Sequence, residues 1–199
     1  MGRTQPPLLV VCALRIERFA LRRGTARIAE PVTVRRTGMG PKAADRAVRV
    51  ALQDPALHGA AVLTTGFCAG LAPGMRPGDV VVSDDGYESA ALAAALKAAG
   101  HTVHTGTLAE SDHVVRGAER TALAASGAIA VDMESAAMRR AALAEGAQHV
   151  AAARVVVDTP EYELVRVGTL RTGIIAFRVL GDLVPAFLDW HRTTALPWR

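Results

Sequence analysis

Short apolar runs of strand length recur along this chain and alternate with segments of helical character. The first run, residues 8–14, is continuously apolar, as expected for a strand buried on both faces. Further strands are predicted over residues 31–37, 60–65, 79–83, 101–108, 128–131 and 149–157. Because strands that alternate with helices form layered folds, the pattern predicts a three-layer α/β/α sandwich with a mixed, largely parallel central sheet.

The predicted helices lie between these strands, and several begin or end at residues that favour helix termini. They cover residues 15–24, 41–52, 89–99, 116–125 and 133–145, followed by a long helix from Thr169 to about Trp190. Pro41 suits the first position of a helix, and the long last helix is expected to be strained or kinked at Pro185. No internal repeat or low-complexity linker interrupts the chain. We therefore expect residues 1–199 to form a single domain.

The composition indicates a globular protein and argues against several classes of function. Half of the residues are hydrophobic but only 4% are aromatic, so small aliphatic side chains must build the core. The net charge is +4, and the basic residues are nearly all arginines scattered along the chain. Nucleic-acid binders concentrate such charge, often with aromatic residues between, so nucleic-acid binding is not expected. Two cysteines cannot form a disulfide framework, and reduced thiols suit a cytoplasmic protein.

Neither a membrane span nor a metal site is indicated by the sequence. Residues 8–14 lead directly into Arg15, Glu17 and Arg18 without a cleavage site, which favours a buried strand over a signal peptide. No run approaches the roughly 18 apolar residues of a membrane span, so stable membrane insertion is not expected. No spacing of histidine, cysteine and aspartate resembles a metal site, and no cofactor is expected.

Three features lie close to the carboxyl ends of predicted strands. Glu17 comes shortly after the first strand, residues 66–70 open a loop over residues 66–78 that is rich in glycine and proline, and Asp158 follows the longest strand. In α/β folds, ligands bind beyond the carboxyl ends of the strands. The sequence therefore predicts that ligand-binding groups gather around these three features.

Four segments, in order, resemble the motifs of one enzyme superfamily. They are VVCALRIE at residues 10–17, TGFCAGLAP with PGDVVVSD at residues 65–73 and 77–84, VDMESAA at residues 131–137, and RVVVD at residues 154–158. Their order and spacing resemble those of the purine nucleoside phosphorylase and methylthioadenosine/S-adenosylhomocysteine nucleosidase superfamily. The resemblance implies a nucleoside phosphorylase-like fold, cleavage of an N-ribosidic bond, and a homodimer or larger assembly.

Within that superfamily, the chain is similar to the hopanoid-biosynthesis nucleosidase/phosphorylase group. The similarity rests on the compact stretch after Ser83, on VDMES at residues 131–135, and on VVVDTP at residues 155–160 followed by RVGTLR at residues 166–171. That group acts on adenosylhopane, an adenosine whose 5′ carbon carries a triterpene. The similarity implies a 5′-modified purine nucleoside as substrate, adenine as product, and water or phosphate as the attacking group.

Asp158 is the candidate acid for this reaction. Cleavage passes through an oxocarbenium-like sugar, and the leaving purine must accept a proton. The resemblance places Asp158 beside the purine N7, where it would protonate the base or share a proton with it. From the residues alone, an aspartate that starts a turn before Thr159 and Pro160 is the simpler interpretation, and the motif match reverses that preference.

Glu134 and Glu17 are the other two candidate carboxylates. The resemblance implies that Glu134 accepts hydrogen bonds from the ribose 2′ and 3′ hydroxyls, both of which can donate to one carboxylate. It also implies that Met133 packs under the sugar. The alternative for Glu134 is a helix N-terminal acid that favours the helix dipole. The resemblance makes Glu17 the base that orients or deprotonates water. Its alternative is a solvated residue among the arginines of the first predicted helix.

Residues 66–70 are the candidate cradle for an anion or nucleophile. The backbone N–H groups of this predicted loop, which contains Gly66, Phe67, Ala69 and Gly70, would point into the site. The chain departs from the family here, since Phe67 stands where nucleosidases usually carry serine and Ala69 replaces a glycine. Val157 likewise replaces a serine before the acid. The lost hydroxyls remove hydrogen-bond partners near the sugar and the purine. The sequence therefore does not decide whether water or phosphate is the nucleophile.

Val114 and Val115 lie where the family lines the purine, and they are candidates for packing against its faces. The neighbouring His113 is more typical of a surface or turn histidine than of a catalytic one. Cys68 has no base placed near it by the sequence and is a poor candidate for a nucleophile.

An apolar stripe runs along the last predicted helix. It consists of Ile174, Phe177, Leu180, Leu183, Val184 and Phe187. The simpler interpretation is that the stripe packs on the sheet. The alternative is that part of it lines a channel for a hydrocarbon group on the 5′ carbon of the substrate.

The leading hypothesis for function is thus a nucleosidase or phosphorylase that acts on a 5′-modified purine nucleoside. A second hypothesis is a catalytically impaired relative that binds nucleosides without cleaving them. Phe67 and Ala69 favour it, because they depart from the family's serine and glycine. A third is a basic protein that binds nucleic acid or acidic surfaces. Retention of intact nucleoside would favour the second hypothesis, and a steep salt dependence of binding would favour the third.

Overall fold

The computed structural model describes residues 5–85, 87–160 and 169–194, which contain one sheet of eight strands. The strands are β1 (Leu8–Cys12), β2 (Val32–Arg36), β3 (Ala61–Gly70), β4 (Val80–Ser83), β5 (Val103–Gly106), β6 (Leu108–Glu110), β7 (Ala130–Asp132) and β8 (Val150–Asp158). The order across the sheet is β2-β1-β3-β8-β4-β5, and β7 pairs with both β3 and β6.

The helices of the described ranges flank this sheet. They are α1 (Arg15–Thr25), α2 (Pro41–Leu52), α3 (Tyr87–Ala98), α4 (Gly117–Ala125), α5 (Ser135–Ala144), α6 (Thr169–Asp182) and α7 (Val184–Thr194), with a short 3₁₀ turn at Pro55–Leu57. None of the helices described is long and apolar enough to cross a membrane. Pro41 is the first residue of α2, as predicted, and needs no hydrogen bond from its nitrogen there.

The sheet is mixed and largely parallel. β1 is parallel to both β2 and β3, and β3 is parallel to β8. The pairs β4–β5 and β6–β7 are also parallel, whereas β4 runs antiparallel to β8 and β7 runs antiparallel to β3. The predicted α/β class with a mixed, largely parallel sheet is therefore confirmed.

Alternation of side chains along β1 divides the core into two layers. Leu8, Val10 and Cys12 pack with buried residues of α1, α3, α6 and α7 on one face of the sheet. Leu9 and Val11 pack with residues of α2 and α5 on the other. Since both faces of β1 are covered, its sequence is apolar throughout, and the three layers are those the sequence predicts.

Strand β3 is longer than the sequence indicates. The prediction of a loop beginning at residue 66 is wrong, because β3 continues to Gly70. Gly66, Phe67 and Cys68 pair with β8, and after an irregularity at Cys68 and Ala69 the strand pairs with β7. Glycine content indicates loops, but pairing with two neighbouring strands outweighs that tendency here.

Two other elements differ from the prediction. The single strand predicted over residues 101–108 is two strands, since β5 pairs with β4 and the chain then changes partner at Thr107 so that β6 pairs with β7. The last helix is broken rather than kinked at Pro185. It ends at Asp182, and Pro185 is the second residue of α7. The break precedes the proline because a proline ring clashes with the carbonyl four residues earlier but is tolerated in the first helical turn.

Candidate active site

A cavity of about 400 Å³ lies at the carboxyl ends of β1, β3 and β8. Eight of the residues predicted for the site line it: Glu17, Phe67, Ala69, Val114, Val115, Met133, Glu134 and Asp158. Leu14, Ile16, Met39, Cys68, Val131, Asp132, His113 and Val157 complete the wall. Gly66 and Gly70 lie outside this lining. The three predicted carboxylates, which are far apart in the sequence, thus face one cavity.

Glu17 is buried and is held entirely by backbone N–H groups in the described structure. Its Oε2 accepts hydrogen bonds from the N–H groups of Ala13 and Leu14, at 2.9 and 2.8 Å. Its Oε1 accepts from Phe67 N–H at 2.8 Å. The bond to Leu14 caps the first turn of α1, and the bond to Phe67 ties that helix to β3. Only 2% of Glu17 is exposed, so the interpretation of a solvated helix residue is wrong.

Gly66 permits this arrangement by having no side chain. Its φ is +143°, and an added Cβ would lie 2.5 Å from the Arg154 guanidinium and 2.6 Å from Glu17 Oε1. Gly70 is similarly enclosed by Met75, Val156 and Thr159. These residues belong to a paired strand and not to the predicted loop, and Phe67 N–H donates to Glu17. That their backbone cradles an anion or nucleophile stays a prediction.

Arg154, to which the sequence interpretation assigned no role, orders the other side of the site. It is fully buried, and its Nε lies 2.7 Å from Asp132 Oδ2 and 2.6 Å from Ser135 Oγ. One terminal nitrogen donates to the carbonyl of Thr65 at 2.6 Å. Asp132 in turn accepts from the N–H and the hydroxyl of Ser135, the first residue of α5. An arginine inside a run of valines and alanines was the available signal, since a buried charge requires partners.

Glu134 is the residue immediately before α5, and its side chain faces the cavity instead of capping the helix. Its Oε1 accepts from Gly40 N–H at 2.9 Å. Asp132 occupies the N-terminus of α5, so the helix-terminal role considered for Glu134 belongs to Asp132. Burial raises the pKa of Glu134, and Asp132 and Glu17 act in the same direction, while Gly40 N–H and Arg154 oppose the shift. Met133 lies beside it on the wall.

Asp158 ends β8 and contacts an arginine that the sequence did not indicate. Arg120, on α4, lies 3.3 Å from Asp158 Oδ2 through one terminal nitrogen. Its other terminal nitrogen donates to the carbonyls of Gly70 and Asp158, at 3.3 and 3.4 Å. Both side chains are nearly buried. Arg120 therefore fixes the position of the Asp158 carboxylate against the end of β3.

The remaining wall is mostly apolar. Val115 is buried against Leu71 and Val131, whereas Val114 is 61% exposed at the rim. His113 lies on the exposed rim, and its hydrogen bonds to Asp112 and Glu119 raise its pKa.

Cys68 lines the cavity, and burial, then the negative charge of Asp132, raises the pKa of its thiol. A neutral thiol is a weak nucleophile, in agreement with the sequence interpretation. Among the residues described, no group of three His, Cys, Asp or Glu side chains is arranged to hold a metal ion.

Residues 15–89 match the sequence model of the Phosphorylase superfamily. A search of curated proteins finds no match to this chain. Among solved structures, the chain is similar to the 5′-methylthioadenosine/S-adenosylhomocysteine nucleosidase from Neisseria meningitidis in complex with methylthio-immucillin-A. The identity is 18% and the TM-score 0.76, with 92% of this chain and 99% of that chain covered.

Two further nucleosidase structures show the same likeness. A mutant of the Helicobacter pylori enzyme with 5′-methylthioadenosine in the active site has 14% identity and a TM-score of 0.76, with 95% and 99% of the two chains covered. The S-adenosylhomocysteine nucleosidase from Streptococcus pyogenes in complex with 5-methylthiotubericidin has 16% identity and a TM-score of 0.73, with 99% and 100% covered. At these identities the likeness shows a shared fold. The match of residues 15–89 and the shared fold are what this chain has in common with that superfamily.

Proposed function

We propose that this chain cleaves the N-ribosidic bond of a purine nucleoside that is modified at its 5′ carbon. The observation that carries the proposal is the convergence of Glu17, Glu134 and Asp158 on one cavity at the carboxyl ends of the strands. The fold is that of nucleosidases whose structures hold 5′-methylthioadenosine or methylthio-immucillin-A. Release of free adenine from 5′-substituted adenosines tests the proposal.

In the proposed reaction the bond from the ribose C1′ to the purine N9 breaks, and its electron pair leaves with the purine. Asp158 takes up a proton from solvent and passes it to N7 as the purine departs. Arg120 acts as a positioning residue that holds the Asp158 carboxylate in place. A water molecule held at Glu17 attacks C1′ and gives its proton to that carboxylate, so that adenine and a free 5-substituted ribose are formed.

Glu134 would hold the sugar through its 2′ and 3′ hydroxyls. Its carboxylate faces the cavity and is positioned by Gly40 N–H. Hydrogen bonds from sugar hydroxyls to a carboxylate strengthen as positive charge develops on the ribose. Arg154 would support this contact indirectly, because it fixes Asp132 and Ser135 on either side of Glu134.

Glu134→Gln is expected to reduce kcat/KM more for ribonucleosides than for 2′-deoxynucleosides, because the lost contact is to a hydroxyl that only the former carry. The expected difference is about 10- to 100-fold, as for one hydrogen bond to a charged group. Steady-state kinetics on the matched pair of substrates measures it. Equal losses on both would show that Glu134 does not contact the 2′ hydroxyl.

The raised pKa of Glu134 predicts where activity is lost in acid. The ionised carboxylate is the form that accepts two hydroxyl hydrogen bonds, and burial shifts its ionisation above the ordinary value of 4.5. As pH falls through that raised pKa the carboxylate protonates, so kcat/KM is expected to decline at a pH above 4.5. A pH profile of kcat/KM should show this limb in the wild type and lack it in Glu134→Gln. If Glu134→Gln keeps the decline of kcat/KM in acid with an unchanged midpoint, the decline is due to the ionisation of another group.

Water is the proposed nucleophile in preference to phosphate. Glu17, Asp132 and Glu134 place negative charge around the cavity, which disfavours a phosphate dianion. The two buried arginines nearby, Arg120 and Arg154, direct their guanidinium groups to Asp158 and Asp132. Ribose-1-phosphate as the main sugar product in phosphate buffer would overturn this choice.

The resemblance to the adenosylhopane group supports a large apolar group on the substrate's 5′ carbon. Leu14, Ile16, Met39 and Phe67 supply apolar wall at the cavity. No residue of the stripe on the C-terminal helices lines this cavity. Leu180, Leu183, Val184 and Phe187 are buried on the sheet, as the simpler interpretation predicts. Ile174 and Phe177 are not fully buried, and both border a separate depression. Residues 161–168 fall outside the described ranges, so RVGTLR lies partly beyond them.

A series of adenosines with lengthening 5′-alkyl groups tests this part of the proposal. Each buried CH₂ is expected to contribute up to about 0.8 kcal/mol, or roughly fourfold in kcat/KM. Preference should therefore rise with chain length until the apolar wall is filled. A flat or falling series would exclude a lipid-like substrate and leave nucleoside cleavage unaffected.

Two further parts of the proposal follow from the resemblance and from composition. The resemblance supports a homodimer, which sedimentation velocity of the purified chain tests. The two reduced, buried cysteines support a cytoplasmic location.

The alternative function is nucleoside binding without cleavage. The observation that favours it is the apolar Phe67 at the cavity, beside a Glu17 carboxylate that already accepts three backbone hydrogen bonds. Retention of an intact nucleoside during prolonged incubation would support this alternative.

A further inference from the structure

The outward face of α1 is both cationic and apolar. Arg15, Arg18, Arg22 and Arg23 are exposed on this helix, and Arg27 follows its end. Two large apolar residues, Ile16 and Phe19, lie among these arginines and are each more than half exposed. The single acidic residue of the helix is Glu17, which is buried toward the cavity.

Helix α6 extends this surface. Phe177 stacks on Phe19 with ring centroids 6.0 Å apart, and the Arg23 guanidinium lies 6.0 Å from the Phe19 ring centre. Ile174 and Ile175 are exposed beside them. The two helices pack closely at Gly24, where an added Cβ would lie only 2.2 Å from the carbonyl oxygen of Gly181. We call the surface formed by Arg18, Phe19, Arg22, Arg23, Ile174 and Arg178 the α1–α6 face.

Most of the positive charge on this face has no acidic partner in the described ranges. Asp182 lies 3.1 Å from Arg27. No carboxylate among the residues described lies within 4 Å of the guanidinium groups of Arg18, Arg22, Arg23 or Arg178. A depression of about 530 Å³ between the helices is bordered by Arg23, Arg27 and Arg178 together with Ile174 and Phe177.

We propose that the α1–α6 face docks on a membrane surface that carries anionic phospholipids. Arginines on an amphipathic helix attract anionic headgroups, and phenylalanine and isoleucine side chains insert at the boundary between headgroups and acyl chains. The charge disfavours a second copy as occupant, because a two-fold interface would bring the same cations together. The exposed isoleucines disfavour nucleic acid, whose phosphate backbone offers them no apolar partner.

Docking would place the cavity at the edge of the contact. Ile16 is exposed next to the α1–α6 face and also lines the cavity. If the chain cleaves a nucleoside with a long apolar 5′ group, as proposed above, that group could enter past Ile16 directly from the bilayer. This consequence rests on the proposed function, whereas docking itself does not, so vesicle binding and nucleoside cleavage can succeed or fail separately.

Co-sedimentation with vesicles tests the docking. The purified chain is mixed with vesicles of phosphatidylcholine and phosphatidylglycerol, and with vesicles of phosphatidylcholine alone. Binding is expected to the anionic vesicles and to weaken as NaCl is added. The double variant Arg22→Glu/Arg23→Glu should bind at least about thirtyfold more weakly, since each cation at an anionic surface contributes about fivefold.

The matched control is Lys42→Glu/Arg46→Glu, which changes the net charge equally but lies on α2, on the opposite face of the sheet. It should bind within about twofold of the wild type, because charges beyond the Debye length are screened. Arg178→Glu on α6 provides a second test that leaves α1 intact. Melting temperatures confirm that each variant is folded.

Several results would overturn the proposal. The first is failure of the wild type to bind anionic vesicles at low salt. The second is an equal loss of binding in the α1 double variant and in the α2 control. The third is wild-type binding by both Arg178→Glu and Arg22→Glu/Arg23→Glu, each measured separately. Duplex DNA that binds the wild type and displaces it from the vesicles would assign the face to nucleic acid. Dissociation of an oligomer by Arg22→Glu/Arg23→Glu would assign it to a second copy.

Discussion

Asp158→Asn is expected to lower kcat for nucleoside cleavage by about 10²- to 10⁴-fold, the range that general acid catalysis contributes. Asparagine has nearly the same shape but cannot give a proton to the leaving purine. Since the substitution removes a contact that matters most in the transition state, nucleoside affinity should stay within about tenfold, or roughly 1.4 kcal/mol. Single-turnover kinetics and equilibrium binding separate the two effects.

The matched control for this variant is Asp189→Asn. Asp189 is also an aspartate paired with an arginine, at 2.7 Å from Arg192, but it is exposed and remote from the cavity. It should retain wild-type kcat. Full activity of Asp158→Asn would show that Asp158 is not the acid. Weaker nucleoside binding with kcat unchanged would show that Asp158 only binds the substrate.

Arg154→Met is expected to destabilise the fold by about 3–5 kcal/mol, because it leaves the buried Asp132 carboxylate without its charged partner. For a chain of this length such a loss corresponds to a fall in Tm of about 10 °C. Arg154 also donates to Thr65 and Ser135, so the variant should lose nucleoside cleavage even at temperatures where it is folded. Chemical denaturation and kcat measured on the folded fraction test the two expectations.

A double-mutant cycle identifies the cause. Asp132→Leu combined with Arg154→Met replaces the ion pair with apolar groups, and the double variant should be less destabilised than the sum of the two single variants. Cleavage should not recover, since the support for Glu134 is still missing. Strict additivity of the two losses would show that the 2.7 Å contact between Arg154 and Asp132 contributes nothing specific.

The elements that could be predicted are those whose cause is local in the sequence. The continuous apolar run of β1, Pro41 at the start of α2, and the glycines after α3 and α5 each indicate an element through nearby residues. The three-layer fold follows from the alternation of such elements. That residues 1–199 form one domain stays a prediction.

The elements that could not be predicted depend on distant partners. Residues 66–70 look like a loop because of their glycines, and only pairing with β8 and β7 makes them a strand. The strand predicted over residues 101–108 divides because its two ends find different neighbours. Neither partner is visible in the local pattern.

The candidate site shows the same division. The motifs located Glu17, Glu134 and Asp158, and the structure brings all three to one cavity. Arg120 lies in an ordinary-looking helical segment, 38 residues before the carboxylate it contacts, so no local signal could identify it. The pairing of Arg154 could be predicted from the sequence, since an arginine in the middle of a buried strand requires a partner.

Free adenine released from a 5′-substituted adenosine, followed with and without phosphate, tests the central claim most directly. The account predicts multiple turnovers with adenine and a free 5-substituted ribose as products, at the same rate in both buffers, and loss of turnover in Asp158→Asn. Recovery of the intact nucleoside, bound but uncleaved, would contradict it and make this cavity a binding site alone.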